Sequence, residues 1–512
     1  MTFKEKYGIS PLIVFTTVLG VFMAVLDSEV VNVAIPKMTS VFATTQDIIS
    51  WVVTIYLLAT GTLTPASGFI GERYGYKKVF LLALSVFTIG SVLCGASWSV
   101  GSLIFFRVIQ AMGGAMLIPI SMAIMFSLSK PEKRGVIMGF WGIAIIFAPA
   151  LGPTVGGYLV EYMTWRLIFF INLPVGIIGL ILTKVFMPEF PGKKTVKFDI
   201  PGLATSSTGF FCLLYALSDA PSSGWMSLKI ISFLTASVIL LSLFVVLELT
   251  ATNPMLDLRL FKNRIFAVST VAIGLMSMAM LGILFILPVF LQNGLGLSPV
   301  QAGLLTMPGA LVTGILMPIG GALFDKIGAR PVVAFGMTMM LFCSVLLINI
   351  NLEWTFVSIM LVYMFRSVGM GLSNMPIVTA GMNAVPRPLI SQATALQSTI
   401  RNVAGSLGTA ILSTVMQTHA NFTFNSYVQN ISVHSLLLVS SYGLKPTVFG
   451  PTNHTDMPRI FSMLKQLAFT SGTQYAMKIT VIITALALMM VLAIGKKQKH
   501  VDIGEMRPVI IE

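Results

Sequence analysis

The sequence predicts an all-α integral membrane protein with fourteen transmembrane helices. Three features support this fold class: 56% of the 512 residues are hydrophobic, only 10% are charged, and apolar stretches of roughly 20 residues recur along the chain. A soluble domain carries roughly 25% charged residues, so water alone would not solvate this surface. About 20 residues cross ~30 Å of hydrocarbon as an α-helix, whereas the alternating strands of a β-barrel give a much weaker signal.

The apolar stretches are the predicted membrane spans. They lie at residues 12–34, 48–67, 79–97, 102–125, 136–160, 165–187, 200–218, 229–249, 266–290, 299–323, 331–350, 355–382, 394–418 and 475–495. Spans longer than about 20 residues can tilt or bend within the bilayer. The three cysteines fall in separate apolar stretches and the four histidines lack metal-ligand spacing, so we expect neither a disulfide nor a metal site.

The basic residues predict the orientation of the chain. With the N-terminus in the cytoplasm, most of the 32 lysines and arginines fall in cytoplasmic segments, as the positive-inside rule requires. We therefore expect a multi-pass protein of the cytoplasmic (inner) membrane with both termini in the cytoplasm. The net charge of +14 is then explained by contact with anionic lipid headgroups, and no nucleic-acid partner is expected.

A short motif occurs twice, after span 2 and after span 10. Each copy has a glycine, three further residues, an acid, a base, one residue and a second glycine. The copies comprise Gly68, Glu72, Arg73 and Gly75, and Gly321, Asp325, Lys326 and Gly328. Both copies are predicted to be cytoplasmic loops. In the first copy, Gly68 and Gly71 are expected to let helices approach closely. Glu72 is expected to accept a hydrogen bond from the N-terminus of a neighbouring helix or to pair with a basic residue. We expect such contacts to close the cytoplasmic side in one state and to release it in another.

This repeat divides the chain into two related halves. Residues 1–190 are predicted to form one six-helix bundle and residues 263–512 a second, with two inserted transmembrane helices in residues 191–262. An even number of inserted helices preserves the orientation of the second half, as two parallel repeats require. The only long polar segment, at about residues 419–474, is predicted to be an extracytoplasmic loop.

Five phrases of the sequence resemble those of one transporter family. They run over Leu26–Pro36, Gly68–Lys78, Arg107–Gly114, Gly152–Gly157 and Trp165–Gly176. Together they are similar to the major facilitator superfamily, in particular to its fourteen-span drug:proton antiporter branch typified by EmrB and QacA. The resemblance implies the major facilitator fold, with proton coupling at the Arg107 phrase and antiport at the Gly152 phrase. The chain departs from the family pattern at Glu29, where Thr is usual, and at Glu72, where Asp is usual.

Asp27 and Glu29 are the only acidic residues that lie well within a predicted span. A charge at the centre of a membrane helix costs ~2.5–3.5 kcal/mol, so it usually faces a cavity or a partner. These carboxyls are therefore the candidate proton carriers, the alternative being a structural hydrogen bond to a neighbouring helix. They lie about 200° apart around the helix, so they do not share one narrow cavity unless span 1 is distorted. Glu29 is either a site for cationic substrates or a second proton carrier.

Acidic residues near span ends are expected to behave differently. Glu161, Asp219 and Glu248 lie close enough to the predicted ends of their spans to reach water. Asp27 and Glu29 therefore stay the leading candidates for proton coupling.

Three other residues are candidates for coupling or substrate contact. Asn32 belongs to the same phrase as Asp27. Arg107 is implied by the resemblance to tune the proton affinity of a nearby carboxyl, which an adjacent cation does influence; the alternative is an arginine bonded to backbone carbonyls. Arg401, in span 13, is either functional or an interfacial arginine that extends to the headgroups.

The span 5 phrase is predicted to be mechanical. It contains Gly152, Pro153, Gly156 and Gly157. Proline removes a backbone donor, and glycines permit bending and close packing, so this helix can seal one half against the other while the halves rock. The alternative is that proline and glycine are simply frequent in membrane helices.

These features predict a proton-coupled multidrug efflux antiporter for amphipathic or cationic small molecules. No nucleotide-binding loop is present, so we expect the proton gradient and not ATP hydrolysis to supply the energy. We expect neither enzymatic activity nor a cofactor. Two alternatives use the same fold: an exporter of a specific metabolite, lipid or siderophore, and a proton symporter for uptake. We expect a functional monomer, with a membrane-fusion protein as partner if the host has an outer membrane.

Overall fold

The computed structural model describes residues 3–192, 199–252, 254–430 and 457–492. Within these residues the secondary structure is helical, with no strand. The α-helices are α1 Phe3–Tyr7, α2 Pro11–Val41, α3 Gln46–Leu63, α4 Ala66–Tyr74, α5 Tyr76–Gly95, α6 Val100–Leu128, α7 Arg134–Tyr162, α8 Leu167–Phe170, α9 Asn172–Phe186, α10 Ile200–Ser223, α11 Leu228–Thr250, α12 Arg264–Asn293, α13 Pro299–Ile327, α14 Ala329–Leu347, α15 Phe356–Asn383, α16 Ile390–Asn430 and α17 Met457–Leu492.

Thirteen helical segments of the described residues are long and apolar enough to cross a membrane. Each corresponds to one of the predicted spans, and the chain is a multi-pass membrane protein. The remaining predicted span, residues 394–418, lies inside α16, which is 41 residues long but is not among the thirteen.

The polarity of α16 explains why it differs from the other spans. Thr394, Gln397, Ser398 and Thr399 lie within its first three turns, and each is at most 4% exposed. These polar side chains therefore face neighbouring helices, and their presence lowers the hydropathy of a helix that packs within the bundle.

Two predicted loops are helical instead. The first copy of the repeated motif lies in α4, which is followed by Gly75 with a φ of 87°, and the second lies at the end of α13, which is followed by Gly328 with a φ of 89°. Glycine adopts this left-handed conformation without steric cost, so each motif forms the last turns of a helix followed by a one-residue break. The prediction of loops was wrong because each helix continues through its motif and is interrupted only at the glycine with positive φ.

The predicted extracytoplasmic loop at residues 419–474 is also wrong at both ends. Helix α16 extends to Asn430, and α17 begins at Met457. Polar residues thus continue both helices beyond the apolar stretches. Residues 431–456 lie outside the described part of the chain, as do 193–198 and 493–512, on which part of the predicted cytoplasmic charge and the C-terminus fall.

The longest contacts between helices lie within the two parts of the chain that precede and follow the inserted pair α10 and α11, and between those two parts. In the first part α2 packs along α7 and α5 along α6; in the second α12 packs along α16 and α13 along α15. Helices α7 and α13 join the two parts, as do α4 and α16, while α10 and α11 pack on each other. The boundaries predicted at residues 190 and 262 stay predictions.

Candidate functional site

Asp27 lies in α2 at the centre of a buried polar cluster. Its side chain accepts a hydrogen bond at Oδ2 from Nη1 of Arg107, over 2.5 Å. Its Oδ1 accepts from Nε2 of Gln110 and from Nδ2 of Asn172, each over 2.8 Å. Both side chains of the Asp27–Arg107 ion pair are 0% exposed. Three donors from α6 and α9 thus surround one carboxylate, which in its ionised form only accepts hydrogen bonds.

Arg107 makes both kinds of contact that the sequence analysis offered as alternatives, one with a carboxyl group and one with a backbone carbonyl. Besides pairing with Asp27, its Nε donates to the carbonyl oxygen of Val52 over 3.1 Å. Its guanidinium carbon lies 4.1 Å from the centre of the Tyr56 ring, an arrangement that stabilises a cation. Its Nη2 has no hydrogen-bond partner among the described residues. Arg107 therefore connects α2, α3 and α6, and its charge is balanced by Asp27.

Gln110 and Asn172 lie in two of the phrases that carry the family resemblance, but the sequence analysis did not predict them as site residues. Gln110 lies one turn after Arg107 on the same face of α6, and its Oε1 accepts from Arg107 Nη1 over 2.8 Å. Asn172 begins α9, and its Nδ2 also donates to Oγ of Ser91 over 2.9 Å. Neutral amide side chains are not found by a search for charged residues within predicted spans. The position of Gln110, three residues after a membrane-buried arginine, could nevertheless have indicated it as a partner of Arg107.

Glu29 points away from this cluster. It is half-buried and faces α7, because a methyl group placed on Gly152 would lie 2.6 Å from Cβ of Glu29. Glu29 forms no hydrogen bond or ion pair with the described residues. Asn32, one turn further, is exposed, and its Nδ2 donates only to the carbonyl oxygen of Ser28, over 3.3 Å. The structure thus brings Asp27 and Arg107 together and leaves Glu29 and Asn32 outside their cluster.

The span 5 glycines hold α7 against α2. A methyl group on Gly152 would meet Glu29, and one on Gly156 would lie 3.1 Å from Cγ1 of Val30. A methyl group on Gly157 would meet nothing within 4 Å. Gly152 and Gly156 therefore permit the close approach and Gly157 does not contribute to it; the side chain of Pro153 lies outside the described part of the structure.

The second copy of the repeated motif joins α13 to the start of α7. The carboxylate of Asp325 accepts from the backbone N–H groups of Gly135, over 2.9 Å, and Val136, over 3.1 Å. The first N–H groups of a helix have no partner within the helix and carry partial positive charge, so a carboxylate stabilises them. A methyl group on Gly321 would lie 1.9 Å from the carbonyl oxygen of Gly135. The two backbones therefore touch at this point.

The first copy joins α4 to the start of α16 in a related way. Glu72 Oε2 accepts from Nε2 of Gln392 over 2.8 Å, and Ser391 Oγ donates to the carbonyl oxygen of Gly68 over 2.7 Å. Methyl groups on Gly68 and Gly71 would lie 2.9 Å from Cα of Gln392 and 2.7 Å from Oγ of Ser391. We call these two sets of contacts, at Gly68–Glu72 and at Gly321–Asp325, the cytoplasmic latches, after the side of the membrane that the distribution of basic residues predicts for them.

Two other motif residues lie beside the first latch. Gly75 adopts the left-handed conformation noted above, and a methyl group there would lie 2.0 Å from the carbonyl oxygen of Phe190. The guanidinium of Arg73 lies over the ring of its neighbour Tyr74, 5.6 Å from the ring centre. Gly75 therefore shapes the turn into α5.

Arg401 lies apart from all of these groups. It is half-buried, with no hydrogen bond or ion pair to the described residues. At about 1.5 Å per residue it lies roughly 16 Å along the helix from the start of α16. The functional and the interfacial interpretations of Arg401 therefore both stay predictions.

Comparisons with known proteins agree with this architecture. Residues 17–409 match the family model described as Major Facilitator Superfamily. The uncharacterized MFS-type transporter YhcA of Bacillus subtilis (strain 168) is 36% identical over 432 residues, which cover 84% of this chain and 81% of that protein. The multidrug resistance protein B homolog of Mycobacterium tuberculosis (strain H37Rv) is 30% identical over 475 residues, or 92% and 87%. The solved structure of the proton:xylose symporter XylE has a TM-score of 0.61 at 16% identity and covers 96% of this chain and 97% of its own.

Proposed function

The chain belongs to the major facilitator superfamily, and we propose that it is a proton-coupled antiporter of the fourteen-span branch. In this proposal it exports amphipathic or cationic drug-like molecules by alternating access. The observation that carries the proposal is the fully buried Asp27–Arg107 pair in an apolar bundle. The multidrug resistance relative supports drugs as the cargo.

Asp27 is the proposed proton carrier. A proton that enters from outside and binds to Oδ2 of Asp27 removes the charge that Arg107 pairs with. The guanidinium is then left without a counter-ion in a medium of low dielectric, which is unfavourable by several kcal/mol. The bundle relieves this cost by rearranging, so that proton binding drives the change of state. Release of the proton to the cytoplasm restores the pair.

The cytoplasmic latches provide the other part of the cycle. Both are closed in this structure, so the halves meet on the side that the basic residues assign to the cytoplasm. In the proposed cycle this state loses its drug to the outside and takes up a proton. The latches then open, the proton leaves and drug enters from the cytoplasm. Energy comes from the proton gradient, about 2.3 kcal/mol per charge per 100 mV plus any pH difference, and no cofactor takes part.

Glu29 is the proposed site for the positive charge of cationic substrates. It is half-buried and unpaired, and it lies outside the Asp27 cluster. Glu29→Gln is therefore expected to reduce transport of cationic drugs about tenfold or more, since one charge-assisted contact contributes roughly 1.5–3 kcal/mol. Transport of neutral drugs should stay within about twofold of wild type. Glu161→Gln, which changes an exposed carboxylate, is the matched control; an equal loss for neutral drugs would make Glu29 a proton carrier instead.

Dye transport by everted membrane vesicles tests the function. The vesicles should accumulate a cationic dye when their lumen is acidic, and a protonophore should abolish this accumulation. Accumulation that persists with the protonophore would contradict proton coupling, and proton-driven uptake by whole cells would indicate a symporter.

The same proposal includes the location, the orientation and the oligomeric state of the protein. We place it in the cytoplasmic membrane with both termini in the cytoplasm, acting as a monomer. In a host with an outer membrane, a membrane-fusion protein would carry the cargo onward.

A further inference from the structure

Two carboxyl groups meet at the cytoplasmic ends of the inserted helices α10 and α11. Asp199 precedes α10, and its Oδ1 accepts from the backbone N–H of Gly202 over 2.8 Å, as an N-terminal cap does. Glu248 lies near the end of α11, and its Oε2 accepts from the backbone N–H of Leu256 over 3.2 Å. Glu248 is 0% exposed, so the expectation that it reaches water from its span end is wrong.

The other oxygen of each carboxyl group takes no part in these hydrogen bonds. Asp199 Oδ2 and Glu248 Oε1 are both buried and have no hydrogen-bond partner among the described residues. A methyl group on Gly202 would lie 2.2 Å from the first oxygen and 2.9 Å from the second. The two free oxygens therefore point into the same small space, which exists because residue 202 has no side chain.

No described cation balances this pair. Asp257, the third acid nearby, uses its Oδ1 to accept from the backbone N–H of Arg259, over 3.0 Å. The guanidinium of Arg259 donates instead to the carbonyl oxygens of Leu249 and Ala251, over 3.1 and 3.2 Å. Two adjacent ionised carboxylates out of water are strongly unfavourable. A single proton between them removes one charge and satisfies both free oxygens at once.

We propose that Asp199 and Glu248 share one proton, held between Oδ2 of Asp199 and Oε1 of Glu248. The proton comes from cytoplasmic water and returns to it through Asp199, which is only partly buried. The site is separate from Asp27, and the inference goes beyond the proposed function because it depends neither on the cargo nor on coupling at Asp27.

Hydrogen bonds connect this site to the first cytoplasmic latch. Glu248 holds the backbone of Leu256, and the next N–H, that of Asp257, donates to Oε1 of Gln392 over 2.8 Å. The amide of Gln392 in turn donates to Glu72. Loss of the shared proton makes the two carboxylates repel each other and displaces this segment, which weakens the latch. The inserted helices thereby make latch closure dependent on cytoplasmic pH.

Infrared spectroscopy of the purified full-length protein tests the shared proton. Protonated carboxyl groups are counted at pH 7 from their carbonyl stretching band in wild type, Glu248→Gln, Asp199→Asn and the double variant. Each single substitution should remove one protonated carboxyl, and the double variant should remove the same one and no more. Glu161→Gln, an exposed carboxylate, should remove none.

Three results would overturn the proposal. They are an unchanged band in both single variants, the loss of two protonated carboxyls in the double variant, and a band that appears only after a chelator has removed a metal ion. Because a variant could fail to fold, the wild-type protein supplies a second measurement: its band should fall by one carboxyl as the pH is raised, with chelator present throughout. A band that stays constant up to the pH at which the protein unfolds would also contradict the shared proton.

Discussion

Asp27→Asn is expected to abolish proton-coupled transport and to destabilise the protein. The substitution keeps the shape of the side chain but leaves the guanidinium of Arg107, which is 0% exposed, without a counter-ion. Removing one partner of a buried ion pair costs ~3–5 kcal/mol. Thermal unfolding of the purified protein should show a clear fall in Tm, and drug efflux should fall to the level of cells without the transporter.

A double substitution separates coupling from stability. Asp27→Asn combined with Arg107→Gln removes both charges, so most of the lost stability should return while transport stays absent. Glu161→Gln is the control and should change neither Tm nor efflux. Efflux that survives in Asp27→Asn would show that the pair is not the coupling element. A double variant no more stable than Asp27→Asn would show that the lost stability does not come from the unpaired charge of Arg107.

Gly321→Ala is expected to prevent closure of the cytoplasmic side. The added methyl group would lie 1.9 Å from the carbonyl oxygen and 2.4 Å from the carbonyl carbon of Gly135, and neither backbone atom can move aside without separating α13 from α7. A penalty of ~2.8 kcal/mol already shifts the equilibrium about 100-fold towards the open latch. Efflux should therefore fall by at least tenfold.

The equilibrium between the open and the closed latch can be measured from the reactivity of an introduced cysteine. Ser391→Cys places a thiol in the other latch, where the side chain is 1% exposed, and the three native cysteines are buried. Its reaction with a thiol reagent should be much faster in the Gly321→Ala background. Gly303→Ala is the matched control on the same helix, because a methyl group there meets nothing within 4 Å. Equal labelling rates and normal efflux in Gly321→Ala would refute the role of this latch.

The spans were predictable because the length of an apolar stretch directly reflects the thickness of the membrane. The ends of the helices were less predictable. Helix α17 begins at Met457, well before the predicted start of the last span at residue 475, because a helix that leaves the apolar layer can continue with polar residues. The glycine motifs were found, but their helical conformation depends on contacts with distant backbones such as that of Gly135.

Residues of the candidate site could be predicted only where a charged side chain lies within a predicted membrane span. That criterion singled out Asp27 and Arg107, and the structure places them together. It could not find Gln110 or Asn172, which are neutral, and it dismissed Glu248 because distance from a span end does not reveal that neighbouring segments cover it.

Proton movement by the purified protein in liposomes is the most direct test of coupling at Asp27. With a drug gradient as the only driving force, wild-type protein should move protons in the direction opposite to the drug, and Asp27→Asn should move none. Drug transport by wild type without any change in luminal pH, or proton-coupled transport that persists in Asp27→Asn, would contradict the account.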